Sequence, residues 1–253
     1  MEQLRNDKAL IYDDNCPLCN AYTKAFVKGG FLKPENRIAF SDVNIQQFKI
    51  DWNRARHEIP LINMQTGEVK YGIDALIDIL QQKFLFIKHV IKIKWLNWFL
   101  RKLYKLISYN RKIIVAARGQ HVSSIDCTPD YSFFWRWALI ILCYGLANFL
   151  LALSSVMIFK LYEITLWPVP GIIWIIIATL PGIAASKKTA TDIHAHASVI
   201  LFIASALLLM VSLFVEYFHI SYLLFSVALV IIICLIIKQL TRRYYFMLYN
   251  NKR

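Results

Sequence analysis

Little in this sequence suits a secreted, disulfide-stapled or repetitive protein. It has five cysteines among 253 residues. Only Cys16 and Cys19 lie close together, so the even, dense framework of a small extracellular domain is missing and structural disulfides are not expected. The opening MEQLRNDKALIYDD is charged, and its four-residue apolar core falls short of the apolar segment of a secretory signal. The first domain is therefore expected to stay where it is made, in the cytosol, where thiols are kept reduced. The chain has no internal repeat, no low-complexity tract and no nucleic-acid-binding motif. Acids are scarce, with 16 Asp plus Glu against 29 Lys plus Arg and a formal charge of +13. Positive charge without such a motif directs the expected partner to anionic lipid rather than nucleic acid.

Apolar sequence is abundant. Hydrophobic residues make up 58% of the chain and the mean hydropathy is +0.47, too apolar for an ordinary soluble globule. The chain divides at about Tyr131. Beyond it, four long apolar stretches at 133–159, 164–185, 197–215 and 220–237, with Arg136 in the first as their one charged residue, are each near the roughly 20 residues needed to cross a bilayer. Pro168, Pro170 and Pro181 fall in the second and would shift or kink its ends. Only Glu216, Tyr217, Phe218 and His219 separate the last two stretches, which predicts an antiparallel hairpin. Lys187 and Lys188 follow the second stretch, and Lys238, Arg242, Arg243, Lys252 and Arg253 follow the fourth. By the preference of basic residues for the inner side, both termini are expected in the cytoplasm of a multi-pass protein of a bacterial inner membrane. Residues 83–105, KFLFIKHVIKIKWLNWFLRKLYK, hold seven Lys or Arg and no acid. Two readings stand for this amphipathic stretch: it lies on the anionic inner leaflet, or it packs its apolar face on the soluble domain and leaves the lysines solvated.

Chemistry concentrates near the N-terminus. KALIYDD, residues 8–14, is a short apolar run ending in turn formers, as in a buried strand. In CPLCNAYTKAFVKGG, Pro17 is tolerated only in a first helical turn, and Gly29-Gly30 marks a stop. Cys16 then falls at a helix N-terminus, where unpaired N–H groups and the helix dipole favour a thiolate. Cys19, one turn on, is placed to resolve a mixed disulfide on Cys16. Thiol-disulfide exchange needs an exposed, activated nucleophile and a less exposed resolving thiol. Two other readings remain open: half of a metal site completed by His57 or Cys127, or inert buried thiols. A structural zinc site takes four ligands, and no second C-x-x-C exists. Downstream, RIAFSDV reads as a strand, a polar helical stretch runs to about Arg56, EIPLINMQTGEVKYG gives two strands around Gln65-Thr66-Gly67, and IDALIDILQQ has helical spacing.

This order of strand, helix, strand, helix, strand, strand, helix is that of a thioredoxin-like domain. Asp13, Cys16 and Cys19 in YDDNCPLC reproduce the D-x-x-C-x-x-C signature of the DCC family of predicted thiol-disulfide oxidoreductases, which the chain resembles over about residues 8–118. YGIDA before a helix and the late YKLISYNRKIIV, with Asn110 and Arg111, add to the likeness. The resemblance implies an α/β thioredoxin-like fold over residues 1–118, protein-disulfide reductase activity and no cofactor. The implied partners are a protein or small-molecule disulfide and a thiol reductant. It also makes Pro17 and Pro60 candidates for substrate contact, with Ile59-Pro60 expected to be cis. A linker over 119–132 and a transmembrane bundle of about four helices over 133–253 complete the expected organisation.

Asp13 has two readings. A carboxylate beside Cys16 raises a thiol pKa, so its useful role is to accept a proton from Cys19; otherwise it binds backbone N–H groups in the turn. Cys127 reads as an interfacial thiol. Cys143 and Cys234 sit singly in apolar stretches, so no cysteine pair is available to carry electrons through the membrane. Asp192, His194 and His196 form a D-x-H-x-H in an expected cytoplasmic loop, either solvated or metal-binding. A non-catalytic docking domain remains the alternative to an enzyme.

Overall fold

Alternation along one strand builds both faces of the N-terminal core. In the strand Lys8–Tyr12 (β1), Leu10 and Tyr12 point to one side of the sheet and Ile11 to the other, as the two-residue period of a strand requires. Leu10 and Tyr12 pack with Leu61, Ala75 and Ile79, whereas Ile11 packs with Phe40, Ile50, Ala55 and Ile62. The computed structural model describes residues 7–42, 49–115, 129–159, 169–180, 183, 185–218 and 222–250. It divides into two units, Met1–Ser132 and Phe133–Arg253.

In the first unit, β1 is followed by the helix Pro17–Lys28 (α1), the strand Arg37–Ala39 (β2), the short helix Trp52–Ala55 (α2), the strands Pro60–Asn63 (β3) and Val69–Tyr71 (β4), and the helix Gly72–Leu80 (α3). The sheet has the order β2-β1-β3-β4. β1 runs parallel to β2 and antiparallel to β3, and β3 runs antiparallel to β4. This small mixed sheet with helices has the element order expected from the sequence. Of the expected polar helix, residues 43–48 lie outside the described residues, and α2 covers only its end. The β3–β4 turn places Gly67 at φ 71°, and Gly72 at φ 62° begins α3; both occupy the left-handed region open to glycine. The expected cis bond before Pro60 is corrected. Among the described residues no peptide bond is cis, and Ile59 is held instead by its N–H to Tyr104 Oη at 3.0 Å and by its carbonyl, which accepts Gly72 N–H at 2.9 Å.

Two further helices, Ile87–Lys92 (α4) and Lys94–Ile114 (α5), occupy the basic stretch, and α5 has two working faces. Ser108, Asn110, Arg111 and Ile113 are buried against the domain. Trp95 and Trp98 are 69% and 62% exposed, with Phe99 half exposed beside them. Lys102 lies 5.8 Å from the centre of the Trp98 ring, and Arg101 pairs with Asp74 at 2.6 Å. Packing on the domain therefore occupies only one side of α5, and the aromatic and basic residues share the other.

The second unit contains the helices Phe133–Phe159 (α6), Val169–Thr179 (α7), Lys187–Phe218 (α8) and Tyr222–Asn250 (α9). Among the described residues, two helices are long and apolar enough to cross a membrane: α6 over Phe133–Met157, and α8. Isoleucines and phenylalanines crowd the outward face of α6 and α7, including Ile141, Phe149, Ile173 and Ile177, an exterior suited to membrane association. α6 and α8 meet along a buried seam in which small side chains predominate. Thr191, Ser198, Ser205 and Ser212 recur every seven residues along α8, and Ile140, Ala147 and Ser154 do so along α6; all are buried. Each of these serine and threonine hydroxyls donates to a carbonyl of its own helix, so none of them is orphaned in the seam. Ala147→Leu is expected to overfill this seam and cost about 1–3 kcal/mol, read as a lower unfolding midpoint in detergent; an unchanged midpoint would show that the seam is not tightly packed.

The expected loop carrying Asp192, His194 and His196 is corrected as well. The helix begins at Lys187 rather than near Ala197, and all three residues lie within α8. Arg136 Nε forms an ion pair with Asp192 Oδ1 at 2.9 Å, and Arg243 Nη1 lies 2.9 Å from His196 Nδ1. The charged groups thus tie the first turns of α6 and α8 and the end of α9 together. Trp174 Nε1 donates to the carbonyl of Ala197 at 3.0 Å, joining α7 to α8. His219 lies outside the described residues.

Candidate active site

Cys16 is the N-cap of α1, with extended backbone at φ −96° and ψ 111°, and Pro17 takes the first helical position. Proline there loses no hydrogen bond, because the first N–H groups of a helix have no partner within it. The helix ends at Lys28, followed by Gly29 and a left-handed Gly30 at φ 65°. Three side chains fix α1 to the sheet. Thr23 Oγ1 donates to the Cys19 carbonyl at 2.7 Å, while Arg37 of β2 donates to Thr23 Oγ1 at 2.9 Å and to Asn20 Oδ1 at 2.5 Å. The same guanidinium lies 3.7 Å over the Tyr12 ring. These contacts hold the turn of helix that carries both thiols.

Cys16 and Cys19 are free thiols. The Cys19 N–H donates to Cys16 Sγ at 3.4 Å. The hydrogen bond from the Cys19 thiol, aided by that N–H and by the charge of Arg111 and opposed by burial, lowers the Cys16 pKa to about 6. The same bond, together with burial, pushes Cys19 well up. One thiol is therefore ionised at neutral pH and its neighbour keeps its proton, the division of labour that disulfide exchange requires. One expectation is corrected: Cys16 is not exposed. It is 2% accessible and Cys19 4%, and Arg111 of α5 lies 3.8 Å from Cys19 Sγ.

Arg111, from the buried side of α5, links the remaining groups. Its Nη2 pairs with Asp13 Oδ2 at 3.0 Å, and its Nη1 lies 3.8 Å from Cys19 Sγ. Nη2 also donates to the Arg56 carbonyl at 3.3 Å. Asp13 Oδ1 accepts the Asn15 N–H at 3.1 Å, so Asp13 does bind the turn backbone, and it reaches Cys19 through Arg111. Burial raises the Asp13 pKa despite the facing guanidinium. Asp13, Cys16 and Cys19 thus come together. Pro17 is exposed at the head of α1 and Pro60 is buried at the start of β3. The sequence reading placed Asn110 and Arg111 by likeness alone and missed the part of Arg111, as well as those of Thr23, Arg37 and Tyr104. Arg111 shares α5 with Arg101, Lys102, Lys105 and Lys112, and no local signal separates the buried cation from these others.

His57, one proposed completion of a metal site, contacts Asp130 at 3.0 Å and stacks on Tyr109. Cys127, the other, lies outside the described residues. Among the described residues no three His, Cys, Asp or Glu side chains converge as metal ligands.

The Cys16 pKa gives a direct test. Below pH 6 the thiol is protonated and slow to alkylate; above it the thiolate reacts. The rate of iodoacetamide modification at Cys16 is expected to rise with a midpoint near 6, against about 8.5 for a free cysteine. A midpoint at the free value would remove the activated nucleophile.

No curated protein and no solved structure matches the chain. A family model does match, from within β1 to just past α5, a little under half of the chain: residues 10–116, which hold Asp13, Cys16, Cys19 and Arg111, are a DCC1-like thiol-disulfide oxidoreductase domain.

Proposed function

We propose that the chain is a membrane-anchored thiol-disulfide oxidoreductase of the protein-disulfide reductase type, built on a thioredoxin-like domain at the cytosolic face. The observation that carries this reading is the paired thiols at one helix start, Cys16 lowered to about 6 and Cys19 raised. The sheet order β2-β1-β3-β4 and the family match support it. Cys16 thiolate attacks the substrate disulfide and forms a mixed disulfide, expelling one thiolate. Cys19 loses its proton, with Asp13 as acceptor and Arg111 holding the developing thiolate, and attacks Cys16 Sγ. The second substrate thiolate leaves, and the enzyme holds a Cys16–Cys19 disulfide that a thiol reductant returns to the dithiol. Pro17, exposed next to Cys16, is a substrate contact in this reading, whereas Pro60 is fully buried.

Four spans, with both termini cytoplasmic, anchor this domain in an inner membrane. The exposed Trp95, Trp98 and Phe99 of α5, with Lys102 and Lys105, fit the anionic headgroup layer, where amphipathic rings and basic side chains are both favourable. A Cys19→Ser chain is expected to accumulate a mixed disulfide with its substrate in cells, separable on a non-reducing gel and lost when Cys16 is also replaced. A Cys19→Ser chain with no thiol-sensitive adduct would remove this function.

A further inference from the structure

A cavity of about 270 Å³ lies against Cys19, walled by Leu18 and Tyr22 of α1, Phe40 after β2, Ile59 ahead of β3 and Ile107 of α5. Cys16 and Cys19 are almost fully covered; Cys19 lines this space, and Cys16 Sγ lies 3.4 Å from the Cys19 backbone nitrogen. Its polar wall groups are engaged with the protein. Asp13 holds Arg111 and the Asn15 N–H, Tyr104 Oη accepts from Ile59, and Ser108 donates to the His57 carbonyl. An entering polar or charged group would lose water and gain few hydrogen bonds, whereas an apolar group loses nothing. A cavity of about 150 Å³ with apolar walls suffices for benzene, so this one accommodates an aromatic ring or a branched aliphatic group with space to spare. Ile107 is 41% exposed, which leaves the cavity open along the α5 side.

We propose that this cavity receives a large apolar group carried next to the disulfide sulfur of the substrate, so that the domain selects apolar-flanked disulfides over polar ones such as glutathione-like disulfides. The proposal rests on the oxidoreductase reading above. In the first step Cys16 Sγ bonds to the sulfur bearing the apolar group, the substrate S–S bond breaks, and the other sulfur leaves as thiolate. The apolar group stays in the cavity beside Cys19. Cys19 then displaces it as a thiolate that takes up a proton, and two electrons have passed from the dithiol to the substrate.

The test uses the full chain in lipid nanodiscs, pre-reduced and freed of reductant, in single-turnover reactions. Two matched pairs of symmetric disulfides are compared: a peptide with cysteine between Phe and Leu against one with cysteine between two Ser, and benzyl against hydroxyethyl disulfide. The apolar member is expected to react about tenfold faster, in the range a hydrophobic pocket discriminates, and Ile107→Asp is expected to bring the ratio towards unity. A preference in both pairs assigns the cavity to the apolar group itself, and a preference in the peptide pair alone assigns it to polypeptide substrates. Equal rates within both pairs overturn the proposal and leave the oxidoreductase reading standing. A reduced chain that reacts with none of the four overturns that reading and the proposal with it.

Discussion

A Cys16→Ser chain is expected to reduce disulfides at less than about one-thousandth of the native rate, because a hydroxyl at this position is not ionised near neutral pH and cannot replace the nucleophilic thiolate. The fold should survive. Cys16 contributes an N-cap acceptor to the Cys19 N–H, and serine is a better N-cap than most residues, so thermal stability should be unchanged or slightly higher. The measurement is disulfide reduction by the purified full chain, read beside its unfolding midpoint. Loss of activity with the midpoint preserved separates chemistry from folding. A Cys16→Ser chain retaining native activity would contradict the thiol mechanism and favour a docking domain whose cysteines are incidental. The pH dependence adds a second check: the native rate should rise through the Cys16 midpoint near 6 and level off above it, provided attack by Cys16 limits the rate.

Local sequence carried the parts of the site that neighbours in the chain build. A strand ending in Asp13, a proline one residue after Cys16 and a glycine pair at the helix end are short-range signals, and the corresponding strand, N-cap and helix stop are all present. What long-range packing decides was not legible. The spacing of α5 shows amphipathicity, but it does not show that Arg111 turns inward to the thiols while Trp95 and Trp98 stay out; that depends on the fit of Tyr104 and Ser108 against the segment before β3. The contact of Arg111 with Cys19, 92 residues apart in sequence, is of the same long-range kind. In the apolar half, window hydropathy finds stretches but not helix ends. Charged residues at 187–194 looked like a loop, whereas Arg136 and Arg243 on neighbouring helices give Asp192 and His196 partners, and α8 starts at Lys187 rather than near Ala197. The seven-residue recurrence of Thr191, Ser198, Ser205 and Ser212 was visible in the sequence, but it acquires meaning only with the matching small positions of α6.

Replacing Arg111 by methionine should be the most damaging single change in the domain outside the cysteines. Arg111 and Asp13 form a pair whose side chains are 9% and 4% exposed, and removing one member of a buried pair leaves the other charge uncompensated, typically at about 3–5 kcal/mol. The loss should depend on pH in a defined direction. Burial already raises the Asp13 pKa above its ordinary value in the folded chain, so the folded state holds this proton more tightly than the unfolded state does. Such a group costs nothing below the unfolded value of about 3.9, and its penalty grows as pH rises from there through the folded pKa. Without Arg111 the folded pKa climbs further and the penalty extends to higher pH, so Arg111→Met should be least destabilised near pH 4 to 5 and most destabilised at neutral pH. Asp13→Asn in the same chain removes the stranded charge and should recover much of the stability, giving a coupling of opposite sign to the single changes. It should not recover the chemistry, because Cys19 has lost the cation 3.8 Å from its sulfur; resolution of the mixed disulfide should slow by roughly tenfold, and the adduct on Cys16 should become detectable during turnover. Equal stability losses at pH 5 and pH 7.5, with no rescue by Asp13→Asn, would show that Arg111 acts through packing alone.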